Sequence, residues 1–225
     1  MNDVMKAPII VLNFKNYAQT REKSEELVKI CKRVSEKYGL NIISCVPALN
    51  LEECADEGIV FAQHFDAKED GAFTGAITVT GIKQEGAKGS LINHSEKRIG
   101  MENVKACIEL AKKHGLVSIC CVENLQEAKQ VMEWGPDMLA YEDKELIGSG
   151  KSIAEFQADK VKEFVSLTDK CVPLAGAGIS NEKDVLDALN LGTKGVLLAS
   201  AFVKSDDPEG FLVKIAEALK GNGLI

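Results

Sequence analysis

Apolar residues fall into short continuous runs along this chain, and the runs alternate with segments whose apolar positions recur every three or four residues. A continuous run marks a strand covered on both faces, whereas the wider spacing marks one buried face of a helix. The runs predict strands at 8–14, 42–47, 59–63, 90–94, 117–122, 137–142, 172–178 and 195–200. Between them the spacing predicts helices over 22–38, where Leu27, Val28, Ile30, Cys31 and Val34 share a face, and over 102–114, 126–134, 154–167 and 181–189. A last helix over 208–219 opens on Pro208, a residue that the first helical turn tolerates.

Strand–helix alternation with connections too long for hairpins requires parallel strands joined by right-handed crossovers. Eight such units predict a (β/α)₈ barrel. A doubly wound open sheet uses the same alternation, but its nucleotide site is usually marked by Gly-x-Gly-x-x-Gly after the first strand, where this chain has Asn13-Phe14-Lys15. The five prolines and nineteen glycines are scattered as single turn and cap residues, with no linker, so residues 1–225 read as one domain.

Composition narrows the partners. A formal charge of −7 argues against nucleic acid, whose phosphate backbone needs a basic face. No run approaches the length of a membrane span, and Met-Asn-Asp-Val-Met-Lys lacks the form of a secretory leader; both point to a cytoplasmic protein without membrane contact. The seven cysteines are odd in number and show no Cys-x-x-Cys pair, which argues against disulfides and structural zinc; no metal is expected.

In a barrel the working face is the carboxyl end of the strands. Three chemical signals fall there: Asn13 and Lys15 after strand one, His94 after strand four, and Glu142 after strand six. Glu142 is followed by a segment with Gly148 and Gly150, which suits a general base under a closing loop. Lys15 can neutralise an anionic substrate and the charge built in a transition state. Ser95-Glu96 reads as a helix start, whose positive end favours a neutral His94 ring able to donate to a carbonyl. His114 sits beside Gly115 and reads as a cation near the last carbonyls of a helix. Small residues in 174–180 and 197–202 let backbone N–H groups approach an anion after strands seven and eight, a common phosphate position.

These residues together resemble the triosephosphate isomerase family: Asn13-x-Lys15, Ala62-Gln63, Gly71-Ala-Phe-Thr-Gly75, His94-Ser95-Glu96, Tyr141-Glu142 and Ile147-Gly-Ser-Gly150 occur in its order and spacing over nearly the whole chain. The resemblance implies a TIM barrel in which Glu142 is the base, His94 the electrophile, and Lys15, Asn13 and Phe14 lie at the substrate. It also implies phosphate contacts at Ile147, Gly178, Ala199 and Ser200. Asn93 stands where most bacterial and eukaryotic members have glycine, Gly176-Ala-Gly178 and Ala199-Ser200 replace more glycine-rich turns, and the length is about 25 residues below the ~250 typical of the fold. Those features resemble a compact archaeal-type branch, which implies a homo-oligomer, with a tetramer favoured over a dimer. Asp143 takes the place of the usual proline after the base, leaving backbone freedom at the hinge.

By that resemblance the chain is expected to interconvert D-glyceraldehyde 3-phosphate and dihydroxyacetone phosphate, in glycolysis and gluconeogenesis, with no cofactor. The alternatives are an isomerase of a four-carbon sugar phosphate on the same fold and a non-catalytic sugar-phosphate-binding barrel. The third loop, with Phe73 and Thr74 near its tip, is expected to insert beside Lys15 of a partner subunit.

Overall fold

The structure is a computed structural model describing residues 6–143, 146 and 152–225. Eight parallel strands close into a barrel in sequence order: β1 (Ile9–Asn13), β2 (Asn41–Val46), β3 (Val60–Ala62), β4 (Gly89–Ile92), β5 (Val117–Val122), β6 (Met138–Tyr141), β7 (Val172–Ala175) and β8 (Gly195–Leu198). Closure comes from β1 pairing with β8, Ile9 opposite Gly195 and Leu12 opposite Leu198. The predicted strands are all present, one or more residues shorter at most carboxyl ends, because the chain turns off the ladder there.

Period-two alternation divides the core into two clusters. Ile9, Val11, Phe61, Ile119, Ala140 and Leu174 are among the residues filling the barrel. Ile10, Leu12, Val46, Ile92, Leu139 and Val196 point outward and pack with the helices. This double burial is why the strands read as unbroken apolar runs.

The helices are α1 (Ala18–Tyr38), α2 (Leu51–Cys54), α3 (Val79–Gln84), α4 (Met101–His114), α5 (Leu125–Met132), α6 (Ile153–Phe156), α7 (Ala158–Leu167), α8 (Glu182–Asn190), α9 (Ser200–Val203) and α10 (Pro208–Gly221). Side-chain caps set several starts: Asn124 accepts from Glu127 N–H at 2.8 Å, Asn181 from Asp184 N–H at 3.0 Å, and Asp207 from Gly210 N–H at 2.8 Å. The single helix expected over 154–167 is two, because Gln157 leaves helical geometry at φ −137°, ψ 38°. The short α2, α3 and α9 were not expected; four to six residues carry too little of a 3.6-residue repeat to be seen.

Candidate active site

At the carboxyl rim, the loop after β1 is fixed before its lysine does anything chemical. The side-chain oxygen of Asn13 accepts the Lys15 N–H at 3.0 Å, and Gln63, just past β3, donates to the carbonyls of Lys15 at 3.0 Å and Cys45 at 3.1 Å. Lys15 itself lies in the left-handed region at φ 53°, which these bonds sustain. Phe14 is fully buried, its ring 5.9 Å from Phe202, and so anchors the loop rather than facing the rim cavity. The ammonium of Lys15 reaches across the rim to Glu96 Oε1 at 2.6 Å.

His94 follows β4. The expected helix start at Ser95 is absent: residues 95–96 form a turn closed by Lys97 N–H donating to His94 O at 2.7 Å, and α4 begins only at Met101. The ring therefore meets a turn peptide rather than a helix end, since Glu96 N–H donates to Nδ1 at 3.2 Å. An Nδ1 that accepts leaves the proton on Nε2. That nitrogen lies 3.2 Å from Glu142 Oε1.

Glu142, the first residue past β6, is only 2% exposed. Its N–H donates to Val122 O at 2.8 Å, which fixes its backbone on the neighbouring strand. Its other carboxylate oxygen accepts the Ser95 N–H at 3.2 Å. Gly176 makes room for it, because a Cβ there would stand 2.7 Å from Glu142 Cγ. Cys121 of the adjacent β5 is fully buried, and its thiol is pushed well up by burial and then by the Glu142 charge. Sequence reasoning noted Gly176 only as part of a turn and gave Cys121 no place at the site. Cys121 was visible in principle, since 117, 119 and 121 alternate inward on β5.

Asp143 makes contacts that its sequence did not announce. Its side chain is buried with Oδ2 3.6 Å from Lys160 Nζ of α7, and its carbonyl accepts the Leu146 N–H at 3.0 Å. Ile147, Gly148 and Gly150, singled out for phosphate contact and loop movement, lie outside the described residues.

A cavity of about 470 Å³ joins these groups. Lys15, His94 and Glu142 line it together with Gly178, Ala199 and Ser200. Gly178 holds φ 70° in the turn between β7 and α8, a backbone shape that favours glycine. The arrangement sets a carboxylate, an Nε2–H donor, an ammonium and several small residues around one space. It can take a proton from carbon, donate to a developing oxyanion and receive a small anion. Asn13 lines a neighbouring cavity that shares Lys15 and His94. His114 lies in the last turn of α4 beside Gly115, as its sequence suggested, with its Nε2 2.6 Å from Glu69 Oε1.

Residues 8–219 match the family model described as triosephosphate isomerase. The chain belongs to the triosephosphate isomerase family. It is 41% identical over 215 residues to a triosephosphate isomerase of Methanosarcina barkeri, covering 92% of this chain and 97% of the relative. A triosephosphate isomerase of Sulfolobus acidocaldarius is 38% identical over 211 residues, covering 91% and 92%. Among solved structures, a triosephosphate isomerase from Bartonella henselae superposes with a TM-score of 0.72 at 21% identity, covering 95% of this chain and 99% of that one. That likeness concerns the fold.

Proposed function

We propose that this chain is a triosephosphate isomerase in the chemical sense: it interconverts D-glyceraldehyde 3-phosphate and dihydroxyacetone phosphate through an enediolate, within glycolysis and gluconeogenesis. The observation that carries the reading is the 3.2 Å approach of His94 Nε2 to Glu142 Oε1 in a cavity that Gly178, Ala199 and Ser200 also line. Family membership supports it. Glu142 removes the proton next to the substrate carbonyl, His94 donates to the carbonyl oxygen and moves protons between the two oxygens, and Lys15 offsets the enediolate charge. The substrate replaces the Glu142–His94 contact, and Lys15 exchanges part of its pairing with Glu96 for the substrate anion. Asn13 holds the Lys15 backbone, and the phosphate lies against the backbone of Gly178, Ala199, Ser200 and Ile147.

The chain acts as a homo-oligomer, a tetramer in preference to a dimer, in the cytoplasm. In support, Leu49 is 94% exposed and Phe73 43% exposed. Leu49 borders a cavity of about 460 Å³ that also reaches Lys15 and His94, a rim too apolar to be left to water. Light scattering should give a multiple of the 24.3 kDa chain. Full activity at the monomer mass would overturn the oligomer.

A coupled isomerase assay on three- and four-carbon sugar phosphates tests the activity. Fast turnover of the triose phosphates is expected. Preference for the four-carbon substrate, or phosphate-ester binding without turnover, would replace the reading.

A further inference from the structure

Asn93 has a left-handed backbone, φ 64°, while 2% exposed and carrying a full side chain. Asparagine tolerates that region better than most residues, yet it stays there only when its surroundings hold it. Here the holding contacts come from three directions. Nδ2 donates to Cys121 O of β5 at 3.2 Å and to Glu127 Oε1 of α5 at 3.4 Å, and Oδ1 accepts the Ile99 N–H at 3.1 Å.

Glu127 is itself fixed. Its Oε2 accepts the Glu123 N–H at 2.8 Å, and its Oε1 pairs with the Arg98 guanidinium. A second nitrogen of Arg98 donates to the Asn93 carbonyl at 3.5 Å. Asn93, Glu127 and Arg98 thus form a closed ring that grips both the side chain and the carbonyl of the residue preceding His94. On the other side, the Lys97 N–H holds the His94 carbonyl. None of the three lines the rim cavity.

The geometry points to Asn93, braced by Glu127 and Arg98, as a positioning residue for the reaction: it sets the direction of the His94 ring so that Nε2 faces the reacting space beside Glu142. The inference rests on the role proposed for His94. A catalytic group displaced by about 1 Å can lose about 10²-fold in rate, so a brace on the preceding peptide has a large effect without touching substrate. Glycine at 93 would keep the backbone shape and lose all three side-chain bonds, which isolates the brace from the φ requirement.

The test measures kcat and KM on triose phosphate for Asn93→Gly and Asn93→Asp, with nitrogen NMR of the His94 ring and His94→Gln as a reference. Asn93→Gly should lower kcat about tenfold or more while KM stays within about threefold, and the His94 resonances should shift or broaden. Asn93→Asp should lose at least as much, since its carboxylate faces Glu127 with no donor. A folded Asn93→Gly with parental kcat and unmoved His94 signals overturns the inference, even if its Tm falls. Should that variant not fold, Glu127→Gln, which weakens the Arg98 pairing at constant size, is held to the same kcat and NMR criteria. If His94→Gln turns over like the parent, the reading of His94 fails. If His94→Gln is crippled and Asn93→Gly is normal, the positioning role alone fails.

Discussion

Among the cavities of the barrel, two of nearly equal size lie at opposite ends, about 470 Å³ at the carboxyl rim and about 440 Å³ at the amino ends of β5, β6 and β7, and of these two the rim cavity is the one built for chemistry. At the amino end Lys112, Asp137, Asp169 and Lys170 are among the lining residues, and Asp137 is tied to the neighbouring strand. One oxygen of its carboxylate accepts both the N–H and the hydroxyl of Ser118, each at 2.8 Å, and its own N–H returns a bond to that hydroxyl at 3.0 Å. These bonds make it a strut between β5 and β6. At the rim the polar groups meet in pairs beside open space, Lys15 with Glu96 at 2.6 Å and His94 with Glu142 at 3.2 Å, where a substrate can displace them. Among the described residues, the two non-glycine positions with positive φ, Lys15 and Asn93, also lie at the rim. Volume is therefore a poor marker of function. Exchangeable polar contacts and backbone held in sparsely populated regions mark the working end.

The comparison is broken most severely at Glu142. Glu142→Gln should keep the fold and bind phosphate ligands but lose ~10³-fold in turnover, within the range for a placed base. Steady-state kinetics and ligand titration check it. Near-parental turnover would move the base elsewhere, with Glu96 the next candidate. A smaller effect is expected from Gly176→Ala, whose methyl group would stand 2.7 Å from Glu142 Cγ and 3.2 Å from Tyr141 O. Displacing the carboxylate should cost about 10- to 100-fold in kcat. A crystal structure with Glu142 unmoved, paired with normal kcat, would show that the site yields freely.

Asp137→Ala sharpens the contrast from the other end. Removing the strut should lower stability by about 1–3 kcal/mol in urea unfolding, because the Ser118 N–H and hydroxyl lose their partner, while turnover stays within about twofold. A catalytic loss as large as that at Gly176 would mean that the two ends are coupled.

A further dependence, on pH, comes from thiols outside both cavities' polar contacts and bears on stability alone. Burial raises the thiols of Cys31, Cys54, Cys107 and Cys171 from 9.0 to about 12. The folded chain then keeps protons that the unfolded chain has released, so these groups contribute stability fully below pH 9 and lose it as the pH climbs toward 12. Urea midpoints should fall across that window, and Cys54→Ala should make the fall shallower. Midpoints that stay flat would remove the thiols from the account.

Much of this molecule was legible along the chain because strands buried on both faces and helices buried on one leave different local periodicities. Those periods were enough to place β1 to β8 and the longer helices, and the strand ends located Lys15, His94 and Glu142 on one rim. Family resemblance added the chemistry expected of them. What only the tertiary structure decided depends on contacts between residues far apart in sequence. The Gln63 bonds to Lys15 and Cys45, the empty space at Gly176, the thiol near Glu142 and the ring through Asn93, Arg98 and Glu127 leave no periodic trace, because each is one side chain meeting one distant partner. The turn at Ser95 read as a helix for the same reason. A short polar segment after a strand carries no apolar repeat, so the tertiary bonds of the 93–99 loop, and not its own sequence, chose its shape and aimed the imidazole.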